Sequence, residues 1–82
     1  MYDLTYSKKA LEQLEKFDKD IGERIIRTLE RARIRPEHFF ERLVGSSLYK
    51  LRIGNYRIIA DIYKNELRIF VIEIGHRRNI YK

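Results

Sequence analysis

The hydrophobic period of this chain changes at its single proline, and that change limits the folds open to it. Between Lys8 and Arg33 apolar residues recur every three or four positions. From Leu48 onward they alternate or run in short blocks, the pattern of strands. Pro36 stands between the two regimes, and the residue before a proline avoids the α conformation, so the helical region ends there. A helical part followed by a strand part, within 82 residues, predicts one α+β domain over residues 1–82, because so short a chain has too little interior for two cores.

The element order follows from the same pattern. Tyr2, Leu4 and Tyr6 alternate with polar residues and predict a short first strand. Ser7 is placed to cap a helix over 8–17 with Ala10, Leu11, Leu14 and Phe17 as its apolar stripe. Asp18 is placed to cap a second helix to about Arg33, striped by Ile21, Ile25, Leu29 and Ala32 with Ile26 beside them. The segment Glu37 to Leu43 predicts irregular structure anchored by Phe39, Phe40 or Leu43. Strands follow at 48–53, 56–63 and 67–74, separated by Gly54-Asn55 and by the region Lys64 to Glu66, both good hairpin signals. The expected order is therefore β-α-α-β-β-β, a two-helix hairpin packed on an antiparallel sheet.

Charge narrows the function. The net charge is +6, which suits a polyanionic partner and equally suits a surface charged for solubility. Residues 1–48 hold ten Lys/Arg and nine Asp/Glu, whereas residues 49–82 hold eight against three, so the excess belongs to the strand half. There is no cysteine, which removes disulfide scaffolds and thiolate zinc sites and suits a reducing cytosol. The N-terminus lacks a basic stretch followed by an apolar run, and the longest apolar blocks are far too short to span a bilayer, so a soluble cytoplasmic protein is expected.

If Gly54-Asn55 is a two-residue turn, Ile53 pairs with Tyr56, Arg52 with Arg57 and Lys50 with Ile59. One face then carries Tyr49, Leu51, Ile53, Tyr56, Ile58, Ala60 and Ile62, a core face. The other carries Lys50, Arg52 and Arg57. Like charges directly opposite each other destabilise a strand pair, and such breaches concentrate at functional sites. The trio also fits an ordinary solvated face whose long cations splay into water. In the last strand Leu67, Ile69 and Val71 are expected toward the core, and Phe70, Ile72 and Ile74 toward the cationic face, where the tail His76 to Lys82 is placed to fold over them.

Taken in order, the strand, two helices, loop and meander, with Leu43-Val-Gly45, the segments Tyr49 to Ile53 and Gly54 to Arg57, and Ile74-Gly-His-Arg-Arg78 before Tyr81, resemble the RelE/ParE toxin superfamily along essentially the whole chain. The resemblance to the RelE branch implies a RelE-like fold and a type II toxin, a ribosome-dependent endoribonuclease that cuts mRNA in the ribosomal A site. It implies a catalytic set of Lys50, Arg52, Arg57, Arg77 and Tyr81. It also implies a RelB-like antitoxin wrapped around the toxin, and the ribosome and mRNA as further partners. In that set Arg52 stands where the family has a second lysine, and Arg77 and Tyr81 are closer together than in the bacterial form.

Cleavage by the RNA's own 2′-hydroxyl needs a proton acceptor, charge at the phosphorane and a proton donor for the departing 5′-oxygen. Guanidinium groups suit the second task. Lys50 is the candidate base, because neighbouring cations disfavour its charged form; Arg52, Arg57 and Arg77 would hold the phosphate, and Tyr81 orient the ribose or stack on a base. His76 is the rival acid or base, and with Arg78 and Lys82 is expected to bind RNA; it equally reads as a hinge residue packed on the sheet edge. No metal or other cofactor is expected: Asp61, Glu66 and Glu73 are scattered, with Glu73 on the face opposite Asp61. Two alternatives stay open, a ParE-like inhibitor of DNA gyrase without nuclease activity and a non-catalytic RNA-binding module.

Overall fold

The computed structural model describes residues 1–76. Strand β1 (Asp3–Tyr6) leads into helices α1 (Lys8–Lys16) and α2 (Lys19–Ala32), and strands β2 (Glu41–Arg42), β3 (Tyr49–Ile53), β4 (Tyr56–Tyr63) and β5 (Arg68–His76) follow. The sheet order is β1-β5-β4-β3-β2. The expected α+β order is present, with two additions. β1 joins as a parallel edge beside β5, which makes the sheet mixed. Part of the segment expected to be irregular forms β2, antiparallel to β3.

The helices bury their apolar stripes on one face of the sheet. Ile25 and Leu29 of α2 are fully buried with Ala10 of α1 against Leu51, Ile53, Ile58, Ile69, Val71 and Ile74. Burying a side chain of this size contributes roughly 1.5–3 kcal/mol. Leu11 and Ile26 face outward instead, at 49% and 43% exposure. Phe40 is the buried anchor of the segment after Pro36.

The β3–β4 register is the one the turn dictates, with Arg52 opposite Arg57, Lys50 opposite Ile59 and Ile53 opposite Tyr56. Gly54 opens that turn at φ +58°, a left-handed conformation that costs glycine little. The β4–β5 ladder departs from simple alternation. Ile59 pairs with Glu73 and Ala60 with Val71, so Ile72 is the extra residue of a bulge. Beyond it Ile74 pairs with Ile58 and is fully buried on the helix side, and Glu73 shares a face with Ile59 and Asp61. Both placements reverse the expectation, because a bulge shifts side-chain parity by one residue. Leu67, expected in the core, is 49% exposed and sits at φ 50° where the last turn closes.

Helix α1 also completes the edge of β5. The β1–β5 ladder ends at Tyr6 opposite Val71. Past that point the Ser7 hydroxyl donates to the Ile72 carbonyl at 2.6 Å, and the Ile74 N–H donates to Gln13 Oε1 at 2.6 Å. Ser7 Oγ simultaneously accepts from the Ala10 N–H at 3.0 Å as the cap of α1. One residue thus ends a strand, starts a helix and ties both to the bulge. Among the described residues no helix is long and apolar enough to cross a membrane.

Candidate functional site

The helix-free face of the sheet carries the cations the sequence pointed to. Lys50, Arg52 and Arg57 line one groove of about 230 Å³ together with Leu51, Phe39 and Glu41. Their convergence comes from two registers: Arg52 and Arg57 face each other across β3–β4, and Glu41 faces Lys50 across β2–β3. The three basic side chains differ in environment. Arg52 is exposed, Lys50 is partly buried, and Arg57 is 5% exposed, the buried charged residue of the described part. Burial brings a guanidinium into a medium where its field is screened less than in water. The groove therefore has a buried cationic floor and an exposed cationic wall.

Glu41 is the residue that sequence reasoning missed. Its carboxylate lies 4.0 Å from Lys50 Nζ and is 80% exposed. It arrives because Phe40 is buried beside it and because Gly45, at φ +74°, turns the chain back from β2 into β3. No alternation marks it in the sequence, since Phe39-Phe40, Glu41-Arg42 and Leu43-Val44 run in pairs, and two residues are too few to stand out as a strand. Phe39, partly buried against the core, lines the same groove.

His76 is placed elsewhere. It pairs with Tyr56, whose neighbour Arg57 pairs with Gly75, so His76 lies on the helix side of the sheet and Arg57 on the open side. Its ring meets Tyr56 edge-on at 5.5 Å, and Tyr56 meets Phe17 at 5.1 Å. The structure does not bring His76 to Lys50, Arg52 and Arg57. Arg77, Arg78, Tyr81 and Lys82 lie outside the described residues.

The far end of the open face is different in character. Thr5, Tyr63, Arg68 and Phe70 line a second depression there, and the Arg68 guanidinium sits 4.8 Å over the Tyr63 ring. A hydrogen bond to Asp61 raises the Tyr63 phenol above its ordinary value, with desolvation as a smaller cause. Among the described residues no group of three histidines or carboxylates gathers as metal ligands would. Glu73 is instead paired with Lys9 at 3.2 Å.

Comparison with known proteins gives this arrangement a context. A family model described as the ParE toxin of the type II toxin–antitoxin system parDE matches residues 4–81. No curated protein is similar enough in sequence to count as a relative. The fold is similar to a chain of the intact Escherichia coli RelBE toxin–antitoxin complex, at TM-score 0.80 and 23% identity over 93% of this chain and 96% of that one. It is equally similar to one from the archaeal RelE–RelB complex of Pyrococcus horikoshii, at TM-score 0.80 and 23% identity over 93% and 94%. The RelBE2 complex of Mycobacterium tuberculosis gives TM-score 0.80 and 20% identity over 93% and 98%.

Proposed function

This chain belongs to the ParE toxin family of type II toxin–antitoxin systems, and from that premise we propose that it acts as a RelE-type endoribonuclease cutting mRNA on the ribosome. The observation that carries this reading is the single groove holding Lys50, Arg52, Arg57 and Glu41. A phosphodiester seated there meets the exposed Arg52 guanidinium, which can grip phosphate oxygens with paired hydrogen bonds, above the buried charge of Arg57. Its 2′-oxygen attacks phosphorus, the bond to the 5′-oxygen breaks, and a 2′,3′-cyclic phosphate and a 5′-hydroxyl result. The negative charge that builds on the phosphorane is met by Arg57 from below and Arg52 from the side, and positioned charge of this kind is commonly the largest catalytic term.

Two protons have to move. An ordinary carboxylate is ionised at neutral pH and an ordinary ammonium is protonated. Glu41 therefore suits removal of the 2′-hydroxyl proton, and Lys50 suits delivery of one to the leaving 5′-oxygen. The reverse assignment makes Lys50 the base, with Glu41 facing it across β2–β3. In this reading Arg77, which follows β5 directly in sequence, adds a further phosphate contact, and Tyr81 orients the ribose or stacks on a base. The mechanism uses no metal. The partners are an antitoxin, as in the RelE–RelB complexes of similar fold, together with ribosome and mRNA in the cytoplasm. The exposed apolar residues Leu11 and Ile26 suit an amphipathic antitoxin segment.

A second reading is favoured by the family match itself, since the matching model is described as the ParE toxin of parDE: inhibition of DNA gyrase without nuclease activity. The experiment adds purified toxin to translating ribosomes and maps mRNA ends for the wild type, Arg52→Ala and Glu41→Gln. The nuclease reading expects message cut by the wild type, with rates lowered on the order of 10²-fold by Arg52→Ala and about 10²–10⁴-fold by Glu41→Gln. Intact message together with trapped gyrase–DNA complexes would overturn it in favour of the second reading.

A further inference from the structure

Helix α2 carries a second cationic surface that joins the first. Arg24, Arg27 and Arg31 are spaced three and four residues apart, so they share one face of the helix. With Thr28 they line a groove of about 430 Å³ whose other wall is Arg52, Ile53 and Gly54 of the β3–β4 hairpin. All four arginines are exposed, and the ion pairs among the described residues involve none of them. Among the described residues no carboxylate lines the groove. Glu30 of α2 is bonded to Arg33 at 2.8 Å.

Arg52 belongs to both grooves. On that side β2 pairs only with Tyr49 and Lys50, so Leu51 to Ile53 have no strand neighbour there. A side chain at Gly54 would begin 3.5 Å from the Arg24 guanidinium, an ordinary contact distance, so the tip lies against α2 and glycine is required there by the turn's positive φ rather than by space.

We infer that Arg24, Arg27 and Arg31, continued by Arg52, form a track for the phosphate backbone of an RNA strand, holding the stretch that flanks the phosphodiester in the Lys50–Arg57 groove. This rests on the nuclease reading and adds where the strand runs. The three helix arginines span about 10 Å of axis, long enough to contact more than one phosphate. The lining favours nucleic acid over an acidic protein segment. Protein partners seat apolar or aromatic anchors in such a groove, and among the described residues Ile53 is the one large apolar residue offered. Guanidinium groups without carboxylate partners, by contrast, match phosphate oxygens.

The test measures binding, so it does not depend on cleavage. A short 2′-O-methyl oligoribonucleotide, which its own 2′-oxygen cannot cut, is titrated with the full chain across a salt series. The proteins compared are wild type, the triple variant Arg24→Gln, Arg27→Gln, Arg31→Gln, and a charge-matched control with Lys8→Gln, Lys16→Gln, Lys19→Gln. The triple arginine variant should bind at least 10-fold more weakly, and its slope of log affinity against log salt should shrink by about 2, the value for three lost single-strand phosphate contacts. The control should keep the wild-type slope. If the triple variant misfolds by circular dichroism, Arg27→Gln alone should reduce the slope by about 0.7. An unchanged slope in the arginine variants overturns the track, as does an equal loss in the lysine control. Unchanged RNA affinity with loss of binding to a polyglutamate peptide overturns it in favour of an acidic protein partner. If the slope shrinks but no ribosomal mRNA is cut, the track stands and the nuclease reading falls; cleavage with an unchanged slope gives the converse.

Discussion

The two hairpins that share β4 solve the same pairing problem in different ways. Between β3 and β4 the register runs unbroken from Tyr49 opposite Ala60 to Ile53 opposite Tyr56. Every side-chain direction there can be counted outward from the Gly54–Asn55 turn. Between β4 and β5 one residue is skipped at Ile72, and counting from either end gives the wrong face for the other. The regular hairpin gathers its cations on the helix-free face, whereas the bulged one collects apolar residues of both parities into the core. Register regularity goes with the candidate site, and irregularity goes with stability. A strand apolar on both faces is usually covered on both; the bulge removes that need for Ile74.

The largest effect that could break this contrast is in the bulged hairpin. Ile74→Ala removes a fully buried side chain and should cost about 2–5 kcal/mol, a large share of the roughly 5–15 kcal/mol that holds such a domain together. Ile72→Ala, at the half-buried extra position, should cost clearly less. Urea denaturation of both variants checks this. Equal losses would mean that the bulge does not sort the two residues, and the contrast would lose its basis.

The same two hairpins explain what was legible in the sequence. The helix boundaries, the Gly54–Asn55 turn and the opposition of Arg52 to Arg57 followed from local rules, because each depends on residues within one or two turns of the chain. The parity of Ile74 and Glu73 did not, since nothing local marks Ile72 as a bulge; it is held by Ser7 and Gln13 from sixty residues away, at the end of β1 and on α1. The burial of Arg57 was equally hidden, as alternation fixes a face but not what covers it. Charge counting failed in a third way. Summed over residues 1–48 the charges nearly cancel, yet Arg24, Arg27 and Arg31 line one groove while Glu30 turns to Arg33. Net charge by segment averages over faces that folding separates.

A medium effect sharpens the contrast from the α1 side. Ser7→Ala deletes both the bond that caps α1 and the bond to the bulge carbonyl of Ile72, so its cost should lie in the upper part of the roughly 0.5–2 kcal/mol range for lost N-caps. Asp18→Ala is the matched comparison. Asp18 occupies the cap position of α2 without a side-chain cap bond, and its replacement should cost much less. Thermal unfolding of the pair reports the difference. If both cost the same, Ser7 acts as a cap alone and the bulge is not tied to α1.

The smallest effect is the most telling for function. Arg52 is exposed on β3 and faces Arg57 directly, so the fold gains nothing from its charge. Arg52→Thr keeps a residue that suits a strand and removes one member of a like-charged pair. It should leave stability unchanged or raise it by about 0.2–0.5 kcal/mol, read as a small upward shift of the urea midpoint at low salt that fades as salt is added. A residue that opposes the fold and still sits where two cationic grooves meet is explained by what it binds. Should Arg52→Thr instead destabilise by a kcal/mol or so, the side chain would be serving the fold. The opposed arginines would then be scaffold, and the regular hairpin would differ from the bulged one only in how its strands pair.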